Sequence, residues 1–105
     1  MAYHYLDYEQ LHALCSAAFR SYGFDDVNSR EITDILLAAD LNGIESHGVQ
    51  RMVRYDYEIS CGMVDMNGKP EIVFETPVSA VIDGHEGMGQ LIGIFAMEKA
   101  IEKAK

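Results

Sequence analysis

The sequence predicts an α/β chain: a three-helix N-terminal segment, then a β-hairpin, then a fourth helix. Three observations carry that prediction. Apolar residues recur at three- and four-residue steps as far as about Ser60. Past Gly68 and Pro70 they give way to two short runs rich in Val and Ile. From Gln90 the helical step returns.

The first helix is expected to begin near Asp7. Asp7 is a good cap, and Gln10 stands three residues on, where a capping box needs it. Leu11, Leu14, Cys15, Ala18 and Phe19 form its apolar stripe, and Gly23 offers a left-handed stop. The second helix starts with Asp25 or Asp26 as cap. Val27, Ile32, Ile35, Leu36 and Ala39 supply its apolar face, and Asn42-Gly43 ends it. The third is expected from Ser46 or His47 to about Ser60, closed by Gly62, with Val49, Met52, Val53 and Ile59 as packing surface. It mixes His, Arg and Tyr along its length in place of a clean stripe.

Residues 71–75 and 79–83 read as strands, joined through Thr76-Pro77-Val78. Residues 84–89 form a glycine-rich loop. In the last helix Leu91, Phe95, Ala96, Ala100 and Ile101 fall mostly on one face, and the pattern still runs at Lys105.

A single domain is the natural expectation for 105 residues, 49% of them hydrophobic and 24% charged. The net charge is −9. A surface that acidic repels phosphate backbones and anionic lipid, so nucleic acid and membrane are poor partners. An enzyme of anionic substrates would need a local basic spot within this field, and Arg51 and Arg54 lie close together. The acidic surface also simply aids solubility. Cys15 reads as a small packed hydrophobe and Cys61 stands at a helix end. No Cys/His cluster suggests a metal, and nothing requires a disulfide. No signal peptide or membrane-length apolar run is seen, so a reduced, cytoplasmic setting is expected.

His47, Arg51 and Tyr55 are spaced by four. On an α-helix each step of four drifts by about 40°, so all three would share one face. Arg54 falls near the same stripe and Ser46 precedes His47. Reduction of a 2-keto acid needs a proton donor that works near neutral pH, which an imidazole is. It needs a carboxylate clamp, which a guanidinium provides bidentately. Hydroxyls of Ser or Tyr can orient the substrate oxygens. The same spacing equally suits a solvated helix face with Arg and Tyr stacked on it, and it says nothing of nicotinamide.

The glycine-rich loop follows a strand and precedes a helix, but its glycines fall at 84, 87, 89 and 93, not in the GxGxxG spacing of a dinucleotide fingerprint. It reads mainly as a turn with close helix packing. His85 reads as an exposed loop residue, and His4 and His12 have no polar company in the sequence.

The stretch Ala39-Asp40-Leu41-Asn42-Gly43-Ile44-Glu45-Ser46-His47-Gly48-Val49-Gln50-Arg51 resembles the A-D-x-x-G-x-x-S-H-G-x-x-R segment of the malate/L-lactate dehydrogenase family. Val81-Ile82-Asp83-Gly84, then Gly87-Met88-Gly89-Gln90 and the helix from Ala96, resemble that family's next block. The resemblance covers nearly the whole chain in the same order. It implies part of a larger, non-Rossmann NAD(P)-dependent dehydrogenase fold, usually homodimeric, acting on a small 2-hydroxy or 2-keto acid with NAD or NADP as cofactor. It implies His47 as catalytic proton donor or acceptor, with Ser46, Arg51 and Tyr55 lining the substrate pocket.

Family members are about three times as long. The resemblance therefore implies that residues 1–105 are an N-terminal segment, helical over 1–62, with a hairpin and helix over 71–105 leading into a nucleotide-binding part. The cofactor-binding residues are unknown and expected after residue 105, and this stretch alone is expected to be inactive. A non-catalytic helical interaction module and an inactive truncated homologue are the competing expectations.

Overall fold

In a computed structural model that describes residues 3–105, the chain divides into two units, Met1–Val53 and Arg54–Lys105. The described residues hold four α-helices and one two-stranded antiparallel sheet.

The first unit is built on α1 (Tyr8–Tyr22) and α2 (Asp26–Leu41). Asp7 caps α1 by accepting from the Gln10 N–H at 3.0 Å, and Gly23, at φ 113°, stops it in the left-handed region. Asp25 caps α2 in the same way through Asn28 at 2.7 Å. At the far end Asn42 folds its amide onto the Ala38 carbonyl and Gly43 turns at φ 76°. The chain is so reversed that Ile44 N–H reaches Ala39 O at 2.8 Å.

Between α1 and α2 lie Cys15, Phe19, Ile32, Leu36 and Leu37, all buried, with Phe24 from the connecting turn. Phe19 meets Phe24 edge to face. Small polar residues complete the contact. Ser16 donates to Thr33, whose hydroxyl donates to Ser29 O at 2.8 Å, so the buried hydroxyls have partners. Three residues expected on buried stripes lie outside: Leu14, Val27 and Ile35 are exposed. The interface is narrow, and a stripe wider than the contact leaves its flanks in water.

The third helix departs from the expectation that it starts at Ser46 or His47. Two 3₁₀ turns come first, Glu45–His47 and Val49–Arg51, separated by Gly48 in an extended conformation, and α3 covers Met52–Ser60. The cause is Asp40 at the end of α2. Its Oδ2 accepts from the Val49 N–H at 2.8 Å, so the helical run begins at residue 49. A Cβ on Gly48 would overlap the Asp40 carboxylate. Val53, expected to pack, is exposed.

The second unit contains the rest of α3, closed by Gly62 at φ 79°, then β1 (Glu71–Thr76), β2 (Ser79–Asp83) and α4 (Gly89–Ala104). The strands pair Glu71 with Asp83 through Thr76 with Ser79, with a bulge between Ile72 and Phe74 that the sequence did not announce. β2 packs on α4, with Ala80 and Ile82 facing Ala96 and Ala100 across a groove. Lys103 crosses from α4 to the hairpin, donating to Thr76 O at 2.7 Å and pairing with Glu75 at 3.0 Å. Met88 is buried just ahead of α4. No helix among the described residues is long and apolar enough to cross a membrane.

Candidate active site

The turn around Gly48 holds three of the four predicted site residues. Ser46 and His47 close the first 3₁₀ turn and Arg51 closes the second. They do not share one α-helix, as the spacing had implied, because extended Gly48 interrupts it. They still meet. Arg51 Nε donates to Ser46 O at 2.7 Å, Arg51 Nη2 stands 3.5 Å from His47 Nε2, and Ser46 Oγ lies 2.8 Å from His47 Nδ1. Ser46 and His47 are exposed and Arg51 is half-buried.

These contacts assign protons. A guanidinium only donates, so Nε2 faces Arg51 with its lone pair. The ring proton then sits on Nδ1 and is donated to Ser46 Oγ. Ser46 keeps its own hydroxyl proton to donate elsewhere. Arg51, with Nε committed to Ser46 O, retains its Nη end for a planar anion. The corner therefore offers a base at Nε2, a hydroxyl donor and a carboxylate fork on one exposed edge.

Tyr55, the fourth predicted residue, belongs to the second unit. Gln90 at the start of α4 donates to its hydroxyl oxygen at 2.9 Å, which leaves the phenol O–H free to donate. Arg54 is taken up by Glu58 at 2.5 Å, and that hydrogen bond, ahead of the charge itself, pushes its pKa up. Arg51 is thus the cation at the corner with donors to spare.

The glycine-rich loop packs against protein. A Cβ on Gly87 would crowd Gly68 O, one on Gly68 would crowd His85 O, and one on Gly84 would meet the Ile92 side chain of α4 at 3.2 Å. These glycines admit neighbouring backbone and the helix, as a close-packed turn requires, and form no open cradle for a pyrophosphate. Gly89, at the start of α4, has open space where a Cβ would stand. Gly84 N-to-C through Gly87 is a tight turn, closed by Gly87 N–H to Gly84 O at 2.9 Å, with His85 and Glu86 both at positive φ.

Three contacts escaped the sequence reading. Asp40 and Gln90 each reach a site element from outside it, and only their place in the family-like segments hinted at them. His12, which had no polar company in the sequence, pairs with Asp34 at 2.6 Å from across the helix pair and approaches Ser16 at 3.5 Å.

Known proteins resemble this chain over most of its length. The family model for malate/L-lactate dehydrogenase matches residues 6–105. The L-sulfolactate dehydrogenase of Methanocaldococcus jannaschii is 38% identical over 86 residues, covering 82% of this chain and 25% of the relative. The ureidoglycolate dehydrogenase (NAD(+)) of Escherichia coli O157:H7 is 32% identical over 99 residues, 92% of this chain and 28% of its own. The solved malate dehydrogenase of Pyrococcus horikoshii superimposes with a TM-score of 0.87 at 36% identity, over 97% of this chain and 31% of that one. The chain thus spans between a quarter and a third of the length of these three relatives. With a family match across almost its full extent, this chain belongs to the malate/L-lactate dehydrogenase family.

Proposed function

We propose that this chain supplies the substrate-handling corner of an oxidoreductase that interconverts a small 2-hydroxy acid and its 2-keto acid with NAD or NADP. The observation that supports it most is the mutual contact of Ser46, His47 and Arg51 on an exposed edge. Relatives named malate dehydrogenase and L-sulfolactate dehydrogenase support a small 2-hydroxy acid as the substrate class. The residues that hold the nicotinamide are expected after residue 105, in keeping with Gly68, Gly84 and Gly87 being taken up by neighbouring backbone and helix.

Within the corner, Arg51 binds the substrate carboxylate through its Nη end, in the bidentate geometry that an ammonium cannot copy. His47 Nε2 accepts the proton of the 2-hydroxyl as that oxygen becomes a carbonyl oxygen, and returns it in the reverse direction. Ser46 holds the Nδ1 proton, and Nε2, whose lone pair faces Arg51 Nη2, is released to the 2-hydroxyl when the Nη end turns to the carboxylate. The imidazolium formed is steadied by Ser46 and, once the carboxylate is bound to Arg51, no longer faces a bare cation. Tyr55, whose hydroxyl accepts from Gln90, is the further substrate-binding residue that the family resemblance implies. The full-length enzyme works as a homodimer in the cytoplasm.

The test is turnover of malate, lactate, sulfolactate and ureidoglycolate by the full-length protein, followed by nicotinamide absorbance. His47→Ala lowers kcat on the order of a hundredfold or more, as loss of a general acid–base group does. Arg51→Lys raises KM more than it lowers kcat. Turnover within a factor of two or so of wild type in His47→Ala removes the imidazole from the mechanism.

A further inference from the structure

The corner has no intrinsic reason to hold its shape. Gly48 links the two 3₁₀ turns at φ −92° and ψ −150°, and glycine is the residue least able to fix a conformation by itself. It also has no side chain with which to cap the helical run that follows. Yet the Val49 N–H, first donor of that run, is satisfied by a carboxylate nine residues back.

We propose that Asp40 is a positioning residue: its carboxylate, seated against the bare backbone of Gly48, fixes the turn that carries Ser46, His47 and Arg51. This rests on the reading of that turn as the site of proton transfer and carboxylate binding. Three observations converge on it. Asp40 Oδ2 accepts from Val49 N–H at 2.8 Å. Position 48 has room for the carboxylate because it lacks a Cβ, since an ideal Cβ there would overlap Asp40 Oδ1, Cγ and Oδ2. And Asp40 stands on a fixed base: Asn42 and Ile44 lock the end of α2 onto Ala38 and Ala39, and Gly43 N–H returns to Asp40 O at 3.0 Å.

Asp40 faces inward as well. Burial chiefly, and the Asp40 carboxylate second, push the Cys15 thiol up. The carboxylate thus bridges the helix-pair core and the turn. Releasing it frees Gly48, and the Gly48 carbonyl is what the Arg51 N–H uses at 2.9 Å, so the guanidinium and the imidazole lose register together.

The experiment reads the His47 ring directly, in the full chain labelled with ¹⁵N at histidine. The His47 signals are those lost in His47→Gln. Wild type shows one tautomer, protonated at Nδ1. In Asp40→Ala both ring nitrogens move toward values averaged over two tautomers, while the methyl signals of Ile32 and Leu36 stay in place. Asp40→Asn keeps the acceptor and keeps the wild-type ring signals.

Gly48→Ala, which drives a methyl into the carboxylate, shifts the ring as Asp40→Ala does. Added to Asp40→Ala it changes little more, because its obstacle is gone. If Asp40→Ala fails to fold, Gly48→Ala and Asp40→Asn decide the matter. In turnover, Asp40→Ala loses on the order of tenfold to a hundredfold in kcat, the scale of a misplacement of about 1 Å. Unmoved His47 signals in Asp40→Ala or Gly48→Ala, or effects that simply add, overturn the proposal. A protein that turns over no 2-hydroxy acid overturns the functional reading alone, and the ring spectrum still judges Asp40.

Discussion

The two units differ in how they keep water out. Of the buried apolar side chains among the described residues, six lie in the first unit and Met88 alone in the second. Two helices crossing through small residues such as Ser16, Ser29 and Thr33 can approach closely, and Phe19 and Ile32 reach 0% exposure. A two-stranded sheet with a helix on one side leaves its other side wet, so Val73, Phe74, Val78 and Val81 are exposed. The corner with His47 and Arg51 grows from the well-packed unit, at the end of α2. A site that must hold side chains to fractions of an ångström is better mounted on such a support.

Core truncation tests that contrast with the largest effects. Phe19→Ala empties a fully buried site and costs about 3–5 kcal/mol. Ile82→Ala, half-buried on β2, costs about 1–2 kcal/mol, because part of its area stays in water in either state. Urea unfolding of the two variants measures both. Equal losses would show that the second unit is as tightly closed as the first, and the contrast would fail.

What the sequence made legible follows the same division between local and distant causes. Asp7, Gly23, Asp25 and Gly43 act on backbone within four residues of themselves, and each sits where its chemistry placed it. The hairpin was legible for the same reason, since Pro77 and Val78 close a two-residue turn between Thr76 and Ser79. The start of the third helix was not, because the acceptor that sets it comes from Asp40 on another element. Leu14 and Ile35 were misplaced because periodicity shows which residues could be covered, while the width of the neighbour decides which are. In the candidate site, the four-residue step from His47 to Arg51, with Ser46 beside His47, foretold that these three side chains approach one another, because that step survives a 3₁₀ distortion. Gln90, 35 residues from Tyr55, had no local signal at all.

A smaller effect sharpens the account of the second unit. Lys103 has a side chain only 15% exposed and ties α4 to the hairpin through Thr76 O and Glu75. Its stem covers apolar surface while its ammonium is held by the strand. Lys103→Met keeps the stem and removes the tie, and loses about 1 kcal/mol or less, since Glu75 is half in water. The same substitution leaves the His47 ring signals unchanged. A loss approaching that of Phe19→Ala would mean that polar ties, not apolar contact, hold the hairpin to its helix.

The faintest expected effect lies in the turn at residues 84–87. His85 is held at φ 50° and followed by Glu86 at φ 59°, a conformation that residues other than glycine rarely adopt. Its ring compensates by pairing with Glu71 at 2.6 Å, with Asp83 3.7 Å away on the other side. The hydrogen bond to Glu71, ahead of the charges of Asp83 and Glu71, raises its pKa when the chain is folded. A group whose folded value is raised stabilises in its protonated form. The contribution is whole below the ordinary histidine range near pH 6.5 and fades as pH rises through the folded value. Urea midpoints measured at either side of that range should therefore fall toward the alkaline side. His85→Asn, which tolerates positive φ and cannot titrate, should lack that part of the fall. A His85→Asn curve parallel to wild type would show that the ring pair does not bear on the stability of the turn, and that backbone contact with Gly68 and Asp65 holds it instead.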